Sequence, residues 1–287
     1  MRIANVDGRA TLVDASGAGL DIEKASDGRF PCHPQAIFER WDALRDWAEA
    51  HVGAADRPIA PGDLGAPTPG PRQVLAIGLN YADHVDESKM GRPDQPPVFT
   101  KFQTSITGPN AAVVLPSGKV DWEVELVVAI GRRAQEVAEA HAWDHVAGLM
   151  VGQDLSERAV QLAGPVPQFS LGKSFPGFAP IGPWLVTPDE VPDPDDLELG
   201  CRLGDEVLQQ GRTSAMIFSV PELIARLSAV LPLLPGDILF TGTPSGVGGA
   251  RNPQRFLSPG GVLTSHVSGV GQLRNEFVAG PHYPAGG

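Results

Sequence analysis

The sequence predicts an α+β fold built on a mixed or rolled sheet, and three observations lead there. The chain holds 34 glycines and 28 prolines in 287 residues, a density of turn formers that excludes a helical bundle or coiled coil. From residue 73 onward, short runs of β-type residues follow one another, most of them separated by Gly or Pro. Few helical stretches interrupt them, so the regular strand–helix alternation of a doubly wound sheet is missing.

The elements follow in chain order. Residues 1–13 alternate loosely and run into DASGAG, which reads as a strand and a turn. Between 35 and 51, Ile37, Trp41, Leu44, Trp47 and Ala48 recur at helical spacing with charges between them, so an amphipathic helix is predicted. Residues 55–72 hold five prolines and three glycines and read as a linker or extended arm. Strands are predicted at 73–80, 111–116, 121–130, 145–154, 183–187, 197–203, 237–242, 261–267 and 271–277. A helix is predicted at 135–144. Another starts at Ser219, where Ser219 and Glu222 form a capping box with Pro221 in the first turn. Length suggests two domains. The change of character places a small N-terminal α/β domain at 1–65 and a larger domain at 66–287.

The net charge of −12 argues against nucleic acid and anionic membrane as partners, because both require a basic surface. An anionic substrate would need a local cation. Cys32 and Cys201 lie in no ligand spacing, which speaks against structural zinc and suits a reducing cytoplasm. The first residues lack the apolar core of a signal peptide, and the longest apolar runs, such as 126–130, are too short to cross a bilayer. A cytoplasmic location is expected. Neither Gly246-x-Gly248 nor Gly269-x-Gly271 precedes an amphipathic helix, and there is no P-loop and no GxSxG elbow.

The most informative segment is DWEVELV (121–127). Residues two apart on a strand share a face, so Asp121, Glu123 and Glu125 fall together while Val124 and Leu126 face the other way. Partly buried carboxylates side by side are costly without a counter-charge. A divalent hard cation answers that cost, since Mg²⁺, Mn²⁺ and Ca²⁺ take oxygen ligands. A solvated edge strand would carry the same spacing. Gln153-Asp154 ends another apolar run, where an Asp completes a cation site or simply caps a turn. His84 and Glu87 are neighbours on one helical turn, the arrangement of a carboxylate-oriented general base. They stand just before GRPDQPPVF (91–99), which is long enough to act as a lid. Lys173 is a lone cation among apolar and turn residues, suited to a substrate oxygen or to snorkelling at the surface. The loop 241–248 offers backbone N–H groups and threonine hydroxyls to an anionic oxygen, or merely closes a strand.

Taken together, GLNYADHVDE (78–87), DWEVELVVAIG (121–131), VAGLMVGQDLSER (146–158), GKSFPGFAPIGPWLV (172–186), TSAMIFSVPELIARLS (213–228) and LLPGDILFTGTPSGVG (233–248) resemble the fumarylacetoacetate hydrolase family. The resemblance is to its catalytic C-terminal domain and spans about residues 70–278. It implies a mixed β-roll, usually in a homodimer, with a mobile lid over the site. It implies Mg²⁺ or Mn²⁺ (Ca²⁺ is a further candidate) held by Glu123, Glu125 and Asp154, with Asp121 outside the ligand set. It implies His84 with Glu87 as a water-activating pair and Lys173 as a contact to substrate oxygen. Tyr81, Gln153, Gly242 and Thr243 complete the implied substrate contacts. Pro176-Gly177 stand where the family often has Asp-Thr, Pro259-Gly260-Gly261 where it often has Pro-Gly-Asp, and Leu79 where some acylpyruvate-cleaving members carry a basic residue. The implied activity is hydrolysis of a C–C bond in a 1,3-diketo acid. Isomerase, tautomerase, decarboxylase or hydratase action on a 2-oxo or 2-hydroxydienoic acid is the alternative, and a catalytically silent cation- or ligand-binding member is the non-enzymatic one.

Overall fold

The computed structural model describes residues 1–55, 57–88 and 91–281. Its main sheet has twelve strands among the described residues. At its centre Val124–Ile130 pairs antiparallel with Val146–Gln153 on one side and with Ile238–Phe240 on the other. Beyond these lie Ala179–Val186 on one flank and Val74–Ile77, then Val98–Thr100, on the other. A second sheet runs in the order Glu206–Arg212, Glu198–Leu203, Val262–Val267, Gly271–Ala279, Ala112–Leu115. Parallel pairings of Val74–Ile77 with Ile238–Phe240, Ile106–Thr107 with Ala179–Val186 and Ala112–Leu115 with Gly271–Ala279 make the sheets mixed.

Every residue of Val124–Ile130 is buried, and the two faces of the strand serve different cores. Val124, Leu126, Val128 and Ile130 pack with Leu199, Leu263, Leu273 and Phe277 of the second sheet. Val127 and Ala129 pack with Ile3, Leu12, Phe30, Trp41 and Leu44. This explains why the sequence loses alternation after Leu126: a strand covered on both sides needs apolar residues on both.

The N-terminal residues continue the main sheet. Arg2–Val6 and Arg9–Val13 form a hairpin whose turn residues Asp7 and Gly8 both have left-handed φ, 52° and 79°, the geometry that an Asp-Gly pair favours. Arg2–Val6 then pairs with Ala179–Val186, so the sheet crosses the expected boundary at residue 65 without a break.

Several elements differ from the sequence expectation. The helix expected at 35–51 is a 3₁₀ segment, Pro34–Arg40, followed by the α-helix Trp41–Glu49, because Arg40 leaves helical geometry at φ −132° and ψ 38°. Its predicted inward residues are nonetheless all buried. The helix expected at 135–144 is absent over its first turn. Glu136 has φ 52°, and the N–H groups of Glu136 and Val137 donate to the carbonyl and hydroxyl of Ser228. Only the 3₁₀ segment Glu139–His145 follows. The helix Val220–Ser228 begins as expected, with the Ser219 side chain accepting from the Glu222 N–H. Among the described residues no helix is long and apolar enough to cross a membrane.

Candidate active site

The strand expected at 121–130 is interrupted at Trp122 and Glu123, and this interruption builds the site. Val120–Asp121 pairs with Ser156–Glu157, whereas Val124–Ile130 pairs with Val146–Gln153. At the break the Glu123 N–H donates to Gln153 Oε1 at 2.9 Å, and the Glu123 carbonyl accepts from the Asp154 N–H at 2.9 Å. Glu123, Glu125 and Asp154 are thereby gathered, each buried, with one carboxylate oxygen of each within 4.8 Å of the others. Asp121 takes a different direction. Its oxygens accept from the N–H groups of Gly248 and Gly249 and from two N–H groups of Arg158.

Three cations surround the carboxylates, Lys173 and Lys101 buried and Arg158 half-buried. Lys173 Nζ lies 2.8 Å from Glu123 Oε2, 2.5 Å from Asp154 Oδ2 and 2.9 Å from Ser156 Oγ. Lys101 Nζ lies 2.5 Å from Asp154 Oδ1 and also donates to the Lys173 carbonyl. Arg158 Nη2 lies 2.7 Å from Glu123 Oε1. Burial opposes ionisation of Glu123, but Lys173 and Arg158 outweigh it and hold this carboxyl down at about 2. Glu125 has less help, since Lys173 favours its charged form only without direct contact. Its Oε2 accepts the Gly242 N–H at 2.7 Å, and no cation pairs with it among the described residues. Burial and the like charges of Asp154 and Glu123 push it well above the usual carboxylate range.

That uncompensated acid is the observation that fits a bound cation. Three hard oxygen donors converge, and one of them has no directly paired cation among the described residues. The donor set suits Mg²⁺, Mn²⁺ or Ca²⁺.

The His–Glu pair comes from the helix Ala82–Ser88. His84 Nδ1 is 2.7 Å from Glu87 Oε1, and Glu87 Oε2 accepts the Gly246 N–H at 2.9 Å. Asp83 accepts from the Ser245 hydroxyl at 2.7 Å, so the helix is clasped twice to the loop after Ile238–Phe240. His84, Glu87, Glu123, Arg158, Lys173 and Thr243 all border one cavity of about 380 Å³, whose apolar wall includes Leu79, Phe99, Leu162 and Phe169.

Not every implied contact reaches that cavity. Tyr81 is fully buried outside its lining, and its hydroxyl takes no hydrogen bond among the described residues. Gln153 spends its side chain on the Glu123 N–H and the Ser265 hydroxyl. Gly242 acts through its N–H on Glu125. Thr243 borders the cavity, but its hydroxyl donates to the Val124 carbonyl and accepts from Gln209. Lys101, Arg158 and Gln161 were not singled out from the sequence. Arg158 and Gln161 line the cavity, 2.8 Å apart through Nη1 and Oε1. The sequence signal for Arg158 is its place four residues after Asp154 in the same run, across the short strand Ser156–Glu157. Lys101, alone in Phe-Thr-Lys-Phe, carries no such signal.

A rolled α+β fold that gathers three buried carboxylates beside a cavity bordered by Glu123 and a His–Glu pair defines an enzyme-like class with a candidate site for a hard cation. The chain belongs to the fumarylacetoacetate (FAA) hydrolase family, whose C-terminal domain profile matches residues 73–278. It is 39% identical over 272 residues to oxaloacetate tautomerase FAHD2A, mitochondrial, of Homo sapiens, covering 93% of this chain and 86% of that one. A putative HpcE protein from Mycobacterium smegmatis is similar in structure, with a TM-score of 0.91 and 54% identity over 97% of this chain and 99% of that one. Maleylpyruvate hydrolase from Sphingobium sp. SYK-6, solved with manganese(II) and pyruvate, has a TM-score of 0.81 and 28% identity over 98% of this chain and all of that one. The family thus includes hydrolases, isomerases and tautomerases.

Proposed function

We propose that the chain catalyses enolisation of a small 2-oxo acid bearing a second carboxylate or carbonyl, with keto–enol tautomerisation as the net reaction. The observation that carries this reading is the placement of His84 and Glu87 on the same cavity as Glu123 and Lys173. Glu87 accepts a hydrogen bond from Nδ1–H and so selects the tautomer in which Nε2 carries the free lone pair. His84 then takes a proton from the carbon between the two carbonyl groups and returns one to oxygen, a general acid–base role. Lys173 and Arg158 supply positive charge for the substrate's oxygens, which a protein of net charge −12 must provide locally. Phe99, Leu162 and Phe169 give the cavity an apolar wall for the substrate's carbon skeleton. A divalent cation held by Glu123, Glu125 and Asp154 supplies Lewis-acid polarisation when bound. The likeness to an oxaloacetate tautomerase supports the choice.

Cleavage of a C–C bond in an acylpyruvate is the second reading. It is favoured by the double anchoring of Glu87, on His84 and on the Gly246 N–H, since a fixed imidazole serves equally to deprotonate an attacking water. The likeness to maleylpyruvate hydrolase supports it. A catalytically silent member would have no use for the His84–Glu87 pair.

The test follows enol absorbance for oxaloacetate and a panel of acylpyruvates with Mn²⁺, with and without chelator, and analyses the products. Chelator-sensitive interconversion of oxaloacetate with no cleavage is expected. Pyruvate and a carboxylic acid released from an acylpyruvate would replace tautomerisation with hydrolysis. No change in any substrate, with Mn²⁺ bound, would overturn both.

A further inference from the structure

Both oxygens of Glu123 and both oxygens of Asp154 are already ion-paired. Glu123 holds Lys173 and Arg158, and Asp154 holds Lys173 and Lys101. Among the described residues Lys173 is the one cation that touches both carboxylates. We infer that Lys173 is a built-in competitor for the divalent cation, and that loading the site expels its ammonium from Glu123 and Asp154 toward the cavity. This rests on the reading of Glu123, Glu125 and Asp154 as the cation ligands.

The geometry singles out Lys173 from its neighbours. Its departure alone frees one oxygen on each carboxylate. Lys101 is fully buried, does not border the cavity and is tied to the Lys173 carbonyl as well. Arg158 is held by two N–H groups on Asp121 and by a third on Gln161. Lys173 borders the cavity, and its Nζ lies 5.0 Å from the centre of the Phe99 ring, itself part of the cavity wall. That aromatic face is a favourable place for a displaced ammonium. The physical reason is charge. An ammonium and a divalent cation sharing two buried carboxylates repel strongly where water is scarce. With neither Lys173 nor a divalent cation in place, the same carboxylates would be left buried and under-compensated. One position therefore serves two positive charges in turn. The ammonium turns toward substrate when the divalent cation arrives, so a substrate contact is presented only by the loaded protein.

The experiment compares Mn²⁺ affinity, by competition with a fluorescent chelator, in the full-length wild type, Lys173→Gln, Lys173→Met and Lys173→Arg. The two neutral variants are expected to bind Mn²⁺ about tenfold tighter or more, within the usual range for coupling between two ligands, and Lys173→Arg is expected to stay near wild type. The rise in Tm on adding Mn²⁺ should also be larger for Lys173→Gln than for wild type. Gln retains N–H donors for the carboxylates, so it carries the test if the Met variant does not fold. Neutral variants that bind Mn²⁺ no tighter than wild type would overturn the competition while leaving the cation site in place. Absence of Mn²⁺ binding in wild type and all variants would overturn the cation site itself.

Discussion

His84 and Glu87 share a hydrogen bond of 2.7 Å across one helical turn, and the far oxygen of Glu87 is fixed by the Gly246 N–H. The imidazole is therefore oriented from the loop after Ile238–Phe240, not only from its own short helix. Base and cation site meet because this loop also supplies the Gly242 N–H to Glu125.

Glu87→Gln should separate catalysis from cation binding. The amide no longer stabilises a charged imidazole, so kcat should fall by about 10²-fold or more, the usual weight of general acid–base catalysis. Mn²⁺ affinity should remain within about twofold of wild type, because Glu87 touches none of the three carboxylates. Loss of Mn²⁺ binding along with kcat would instead give Glu87 a structural role.

Glu125→Gln should act in the opposite way. Glu125 is the buried acid without a cation partner, so its neutral isostere relieves repulsion in chelated protein. The metal-free variant should be more stable than metal-free wild type by on the order of 1 kcal/mol, and the stabilisation by Mn²⁺ should disappear. Denaturant unfolding with chelator and with Mn²⁺ reads both effects.

Gly172→Ala tests the packing beneath Lys173. A Cβ on Gly172 would stand 2.5 Å from the Gln161 backbone nitrogen and 2.6 Å from its Cα, and neither can move without shifting the short helix Arg158–Gln161. A loss of about 1–3 kcal/mol is expected for such overpacking, visible in Tm. KM for the keto acid should rise as well, because Gln161 and Lys173 both line the cavity. An unchanged Tm would show that Gly172 and the helix Arg158–Gln161 have room to separate.

The two thiols should differ in reactivity. Cys201 is buried, its thiol pushed up chiefly by desolvation, and its Sγ lies 3.3 Å from Gln209 Oε1. Cys32 is half-buried. An aromatic disulfide reagent should titrate one thiol per chain in native protein and two in denaturant. Two fast-reacting thiols in native protein would contradict the burial of Cys201.

Much of the site was legible because its chemistry is local. The alternation that placed Glu123 and Glu125 together survives in the structure, as does the i, i+3 relation of His84 and Glu87. What was illegible depends on partners far along the chain. Asp121 fits the same alternation, but the strand breaks at Trp122 and Asp121 turns to Arg158, a contact across 37 positions. Lys101 meets Asp154 across 53. Gln153 and Thr243 stand among the implied substrate contacts, yet their side-chain hydrogen bonds close the fold around the carboxylates. The helix expected at 135–144 fails for a similar reason, since Ser228 captures N–H groups that a helix would have used.

The pairing of Arg2 with Val186 also sets an order of events during synthesis. The hairpin of residues 2–13 leaves the ribosome before the strand that covers its edge, which emerges some 180 residues later, about 10–40 seconds on at ordinary elongation rates. Throughout that interval a small sheet, which Ala18–Asp21, Arg57–Pro58 and Leu64–Gly65 extend as they emerge, must persist with the edge at Arg2 and Ile3 uncovered. Contacts this distant in sequence slow the closing of the sheet, and the exposed edge is where a nascent chain would be expected to recruit a chaperone.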